Sequence, residues 1–305
     1  MPEENFAGRT IAGYRLLERV GEGGTATVYR AEHDTQGRCA FKTLRASLRS
    51  DPTAVKRFLR EADYGTRVRH PGVVRTYDFG EEAGIHYLAL EWVDGEPLSK
   101  AAIRSGRLPP ATVATIVDQL ADALAATHVA GIIHRDLKPD NILYDSTTHR
   151  VKLLDFGIAR DSQEDASERL TRTGFFVGTL QYVAPEALSG ELVSEKADIY
   201  SLATITYYLL TGYHPYPGRS PRELFSQLLS EDPVALNHAG GKTFDFPRAL
   251  EEAVMKGLSR DPKHRQATVR QLADEVLKAI AQPPVPRPAS GVVGALARLF
   301  RSQNR

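Results

Sequence analysis

Apolar positions early in the chain come in short runs rather than long periodic ones. Tyr14 to Val20, Thr27 to Glu32 and Arg38 to Leu44 are rich in β-branched, aromatic and apolar residues. Turn-forming stretches, Gly21-Glu22-Gly23-Gly24 and Asp34-Thr35-Gln36-Gly37, separate them, and such runs between turn clusters predict strands. From Pro52 to Arg69 the spacing changes. Val55, Phe58, Leu59 and Ala62 recur at i, i+3, i+4 and i+7, one face of a helix. Val73 to Phe79 and His86 to Trp92 predict two further strands, joined by a hairpin at Glu81 to Gly84.

After Asp94-Gly95 the pattern becomes helical. Pro110 to Ala130 is a long apolar-periodic helix opened by Pro109-Pro110, and two short strands follow at Ile142 to Tyr144 and Val151 to Leu154. Helices dominate from Ala184 to Ala281, notably Lys196 to Leu210 and Val269 to Ile280. The pattern predicts a small β-rich lobe, a connector near Glu91 to Gly95 and a larger helical lobe, without internal repeats. Pro283-Pro284-Val285-Pro286-Arg287-Pro288 then reads as a stiff extended linker. Beyond it, Val292 to Arg301 is a short amphipathic stretch. It has two readings, a weak membrane-surface or partner-binding helix and a frayed solubilising tail; the tail is favoured because so short a helix is marginal alone.

Composition narrows the function classes. In 305 residues, 39 Lys and Arg nearly cancel 38 Asp and Glu, so no basic field argues for nucleic acid and no acidic excess for disorder. The single cysteine, Cys39, rules out an internal disulfide and fits a reducing, cytoplasmic setting. Met1 to Arg9 has no apolar core to form a secretory signal, and no segment approaches the roughly 18 uninterrupted apolar residues of a membrane span.

Chemistry concentrates in His134-Arg135-Asp136-Leu137-Lys138-Pro139-Asp140-Asn141, between apolar Gly131-Ile132-Ile133 and the strand that starts at Ile142. A plain charged surface loop does not account for this order, nor for Asp155-Phe156-Gly157 after the next strand. Two strand-flanked loops side by side would bring three polar side chains onto a metal-bound polyphosphate. Asp136 could accept a proton from an attacking hydroxyl, while Asn141 and Asp155 supply hard oxygen ligands to Mg²⁺.

In this order the motifs make the chain resemble the eukaryotic-type (Hanks-type) serine/threonine protein kinases, over roughly residues 11 to 280. The resemblance implies an α+β, bilobal protein kinase fold with an N-lobe at about 11–90, a hinge at 91–95 and a C-lobe at 96–281, ahead of a tail at 282–305. It implies ATP and Mg²⁺ as cofactors, with Mn²⁺ as the alternative ion, and protein substrates.

Residue by residue, Gly21, Glu22, Gly23 and Gly24 match a glycine-rich loop, whose backbone N–H groups can close over phosphate without a Cβ in the way. Ala26 stands where the family has a third glycine, which predicts a slightly stiffer lid. Val28 would pack on adenine, and Ala40 lies in the Cys39-Ala40-Phe41-Lys42 segment whose Lys42 matches the phosphate-gripping strand lysine. Glu61 borders the core-facing stripe of its helix and is the expected partner of Lys42. Leu90 takes the gatekeeper position, with backbone groups of Glu91 and Val93 set to bond adenine. Lys138 marks serine/threonine rather than tyrosine specificity, and its ammonium can bridge the γ-phosphate during transfer. Thr179 matches the threonine that supports Asp136. Glu186, in Ala184-Pro185-Glu186, is expected to pair with Arg265, and Asp198 to hold the backbone of the loop around Asp136.

The polar stretch Asp161 to Gly174 contains Thr171 and Thr173. Arg135, directly before Asp136, is a charge that an anion on this stretch would satisfy, and Arg160 stands where the family often supplies a second cation. Phosphorylation of Thr171 or Thr173 is therefore expected to order the stretch through Arg135 and Arg160. The T-x-T spacing and the Gly21 to Ala31 opening look most like the bacterial branch, in which autophosphorylation in trans through transient homodimers is common. A binding-only scaffold would need Lys42, Asp136, Asn141 or Asp155 broken, and none is. A small-molecule phosphotransferase of related fold should lack Gly178 to Glu186 and the Asp198/Arg265 framework, and both are present.

Overall fold

Short runs of apolar residues can be stable only when other strands satisfy their backbone groups, and the small lobe does this with an antiparallel sheet. The structure is a computed structural model that describes residues 4–154 and 180–282. Among them, β1 (Thr10–Ile11), β2 (Tyr14–Glu22), β3 (Ala26–His33), β4 (Gly37–Leu44), β5 (Thr76–Glu82) and β6 (Ile85–Glu91) lie in the order β1-β2-β3-β4-β6-β5. Both faces of this sheet are covered, so β4 is buried almost continuously from Cys39 to Leu44 instead of alternating. The outer face packs Tyr14, Tyr29, Phe41 and Tyr87 under Phe6, a residue ahead of the first strand. On the inner face Ala26, Leu44 and Leu88 pack against Phe58 and Ala62 of helix α1 (Pro52–Arg67).

Asp51 opens α1 by accepting from the Thr53 amide at 2.8 Å, and extended backbone at Val68 ends it, two residues before the predicted Arg69. Gly65 lets it approach the sheet: a Cβ there would meet Thr76 Oγ1 at 2.2 Å. The predicted strand from Val73 begins only at Thr76. Val73 instead bridges Leu153, and the Val74 amide donates to the Leu153 carbonyl at 3.0 Å. Val73 and Leu153 belong to the core of the other lobe, and that competing partner moves the strand boundary.

The large lobe opens with β7 (Glu96–Pro97), which pairs with β8 (Ile142–Asp145) and through it with β9 (Arg150–Leu153). Around this small sheet lie α2 (Leu98–Ser105), α3 (Pro110–Val129), α4 (Pro185–Ser189), α5 (Lys196–Thr211), α6 (Pro221–Ser230), α7 (Arg248–Gly257) and α8 (Val269–Ala281). Every residue of α5 except Lys196 and Tyr208 is buried, so it is the lobe's central helix. The architecture is the expected α+β, bilobal one. Among the described residues no helix is long and apolar enough to cross a membrane. The expectations for Asp155, Arg160, Thr171, Thr173, Thr179 and the stretch from Val292 fall outside the described residues.

Candidate active site

The sheet's inner face reaches the space between the lobes through β3, β4 and β6. Register places Val28 opposite Lys42, Lys42 opposite Leu88, and Ala40 opposite Leu90, so these side chains share one face. Lys42 is buried, and its Nζ donates to Glu61 Oε1 at 2.6 Å. A buried ammonium without a carboxylate would be costly, and α1, seated on Thr76 through Gly65, delivers one. Val28, Ala40 and Leu90 remain half-buried. Gly21 and Glu22 pair with Val28 and Thr27, and the Gly23 amide donates to the Ala26 carbonyl at 2.8 Å; Gly23 and Gly24 are exposed. Ala26 turns its methyl into the inner core beside Leu44 and Phe58, a contact that a glycine would not make.

The loop after α3 is held by one fully buried carboxylate. Asp198 Oδ2 accepts from the His134 amide at 2.9 Å, and Oδ1 accepts from the Arg135 amide at 3.0 Å. Arg135 itself sits at φ 63, a left-handed conformation that an arginine holds only when its surroundings impose it. His128 Nε2 lies 2.8 Å from the same Asp198 Oδ2. Sequence reasoning passed over this histidine, because its place in the last turn of α3, six residues before His134, does not by itself mark a carboxylate partner. From the clamped loop Asp136 projects its carboxylate. Lys138 Nζ and Asn141 Nδ2 both donate to Asp136 Oδ2, each at 2.9 Å, and Asn141 Nδ2 also reaches the Asp136 carbonyl at 2.9 Å. The Leu154 amide donates to the Asn141 carbonyl at 2.8 Å, which ties the residue before Asp155 to this loop.

Between the lobes, Glu91 ends β6 with its amide bonded to the Arg75 carbonyl at 2.8 Å. Its carboxylate takes Lys152 Nζ at 2.5 Å and the Arg75 amide at 3.2 Å. On the other side of the connector, Asp94 accepts from Arg38 at 2.7 Å and from the Trp92 indole at 2.9 Å. Gly95, at φ 137, brings the connector against β8, where a Cβ would stand 2.9 Å from the Tyr144 carbonyl oxygen.

Glu186 and Arg265 meet as a two-pronged pair at 2.7 and 2.8 Å, both buried, with Arg265 also donating to the carbonyls of Ser259, Lys196 and Arg260. Tyr200 lies under the guanidinium at 5.0 Å, and burial raises its phenol well above the ordinary range. Nearby, His214 stacks on Tyr208 and meets the edge of Tyr182; burial there lowers its pKa to about 4.

The profile of the protein kinase domain matches residues 14–279. The chain belongs to the protein kinase domain family. Similar members include the serine/threonine-protein kinase pkn2 of Myxococcus xanthus, 38% identical over 87% of this chain and 32% of its own length. PrkC of Bacillus subtilis is 35% identical over 89% of this chain and 41% of its own. PknB of Mycobacterium tuberculosis is 37% identical over 89% of this chain and 44% of its own. The chain thus spans about a third to a half of the length of these relatives. Among solved structures, the kinase domain of Mycobacterium tuberculosis PknI superposes with a TM-score of 0.69 at 29% identity, covering 90% of this chain and 98% of that one. Protein kinases use ATP with a divalent metal. Lys42 stands on β4, Glu61 on α1, and Asp136, Lys138 and Asn141 on the loop before β8.

Proposed function

We propose that the chain is a serine/threonine protein kinase that transfers the γ-phosphoryl group of ATP to hydroxyls of proteins. The observation that carries this reading is the Asp136 carboxylate, held by Lys138 and Asn141 on a loop whose backbone Asp198 clamps. Phosphoryl transfer passes through a loose transition state, so positioning and charge stabilisation supply most of the acceleration. Asp136 orients the acceptor hydroxyl and takes its proton. Lys138, already on Asp136, is placed to neutralise charge on the transferring group. Lys42, fixed by Glu61, grips the α- and β-phosphates, and Gly21, Glu22, Gly23 and Gly24 cover them. Val28, Ala40 and Leu90 offer the apolar, half-buried surface that adenine needs, with backbone groups of Glu91 and Val93 as its hydrogen-bonding edge.

A divalent cation fits the residues present. Among the described residues both side-chain hydrogen bonds of Asn141 use its Nδ2 as donor, which leaves Oδ1 as a neutral oxygen ligand, and Asp155 is the second proposed ligand. Bound Mg²⁺ would neutralise phosphate charge. Lys138 and the likeness to serine/threonine-protein kinases support serine/threonine specificity. Activation by phosphorylated Thr171 or Thr173 on Arg135 and Arg160, support of Asp136 by Thr179, trans-autophosphorylation in a transient homodimer and a cytoplasmic location complete the proposal. They rest on the sequence.

The test is phosphoryl transfer from γ-labelled ATP with Mg²⁺ to a generic protein acceptor, comparing the wild type with Asp136→Asn. Label on serine or threonine that the variant fails to add is expected. Equal labelling by both proteins would refute the role of Asp136, and no labelling despite ATP binding would refute the kinase reading.

A further inference from the structure

One turn of 3-10 helix, Ala46–Leu48, links β4 to α1 and carries Ser47 at the surface. Ser47 lines a concavity on the small lobe together with Arg19, Arg45, Arg49, Glu4 and Glu22. Its hydroxyl makes no hydrogen bond among the described residues, whereas every charged neighbour is engaged. Arg49 pairs with Glu4 at 2.8 Å and donates to the Leu44 carbonyl at 3.1 Å. Arg45 pairs with Glu22 at 3.2 Å, and Arg19 contacts the same carboxylate. Three guanidiniums therefore face two carboxylates around an unused hydroxyl.

We infer that Ser47 is a phosphorylation site and that the surrounding arginines are its phosphate receptor. A phosphoserine brings close to two negative charges and acceptor oxygens suited to forked guanidinium donors. That addition turns the local balance from net positive to net negative, so a carboxylate must leave. Glu4 is the one that gives way: its side chain is half exposed and pairs with Arg49 alone, whereas the less exposed Glu22 on β2 holds both Arg19 and Arg45. Glu4 belongs to a strap ahead of the matched kinase profile. The strap is held by buried Phe6, whose amide donates to Tyr29 Oη at 3.3 Å and whose ring lies under Arg49 and Arg9, and by the Gly8 amide on the Leu16 carbonyl at 2.8 Å. Phosphate on Ser47 draws Arg49 away from both Glu4 and the Phe6 ring, and the strap loosens.

The inference rests on the kinase reading above, since the donor is ATP and the acting group is Asp136 of a second copy. Ser47 Oγ forms a bond to the γ-phosphorus, and the bond from that phosphorus to the β,γ-bridging oxygen breaks. ADP leaves with the electron pair, and the hydroxyl proton passes to the Asp136 carboxylate and on to solvent. The single 3-10 turn needs little local opening to present Ser47; its Arg49 amide closes on Ala46 at a long 3.4 Å.

The experiment mixes wild-type chain, ATP and Mg²⁺ with an Asp136→Asn acceptor, alone and carrying Ser47→Ala, and maps phosphate by mass spectrometry. Amide exchange of Phe6 and Gly8 is then followed in modified and unmodified acceptor. Expected are phosphate on Ser47 and exchange of both amides faster by about fivefold or more, the scale of one lost ion pair and ring contact, with no change in the Ser47→Ala acceptor. Transfer to other residues with Ser47 unmodified overturns the site while leaving the kinase reading intact. Phosphate on Ser47 with unchanged exchange overturns the receptor. No transfer either to the acceptor or to a generic protein defeats the kinase reading and this inference with it.

Discussion

Asp136, Lys138 and Asn141 owe their placement to covalent neighbourhood: within six residues of one loop, two side chains turn onto one carboxylate oxygen of the third. Removing the carboxylate's basicity with Asp136→Asn should lower kcat by about 10²–10⁴-fold, the usual worth of a general base, with ATP affinity little changed in equilibrium binding. Lys42 and Glu61 differ, being 19 residues apart and joined at 2.6 Å only because α1 docks on the sheet. Their alanine variants should therefore be strongly non-additive. A double-mutant cycle on ATP binding is expected to show a coupling of about 0.5–3 kcal/mol, and additive losses would show that the pair does not act as a unit. All five residues were legible in the sequence because the chemistry demands particular side chains. His128 was not: a histidine near a helix end says nothing locally of a carboxylate 70 residues away.

At the scale of elements, the long helices and most strands of four or more residues were read to within two residues, and the two-residue strands were missed. Helices α3 and α5 lie within one residue of their predicted bounds because each is an apolar-rich segment too long for an ordinary strand. Strands β1 and β7 have two residues each and exist only through pairing with β2 and β8, so no local pattern marks them. Elements are also where buried polar groups become structural. Arg265→Ala should destabilise the large lobe by about 3–5 kcal/mol in urea unfolding, because Glu186 would be left buried and unpaired. The double variant Glu186→Leu/Arg265→Met should recover part of that loss. His214 makes stability depend on pH. Its folded pKa of about 4 lies below the ordinary 6.5, so the unfolded chain takes up the proton first as pH falls. The contribution is complete above about 6.5, declines through the window down to about 4 and levels off below it. At pH 5 the loss relative to pH 7 should be about 2 kcal/mol larger for the wild type than for His214→Phe, which keeps the ring contact with Tyr208.

For the whole molecule, the connector between the lobes sets how they face each other. Gly95 is there at positive φ with the Tyr144 carbonyl 2.9 Å from where a Cβ would be. Gly95→Ala should cost about 1–3 kcal/mol of stability and raise the KM for ATP, measured by thermal unfolding and steady-state kinetics; an unchanged KM would mean that the connector does not set the nucleotide site. Taken alone, the sequence determined the two-lobed plan, the long helices and the side chains proposed to do chemistry, because periodicity and functional-group identity are local properties. The pairings of Glu61 with Lys42, Asp198 with the loop at Asp136 and Glu186 with Arg265 were expected only through the family resemblance, not from any local pattern. Only the tertiary structure decided that His128 reaches Asp198 and that residues 72–74 turn away from the sheet onto β9. Each of these is a choice among distant partners, made by burial and by the need to satisfy every buried polar group, and no window of sequence contains both sides of it.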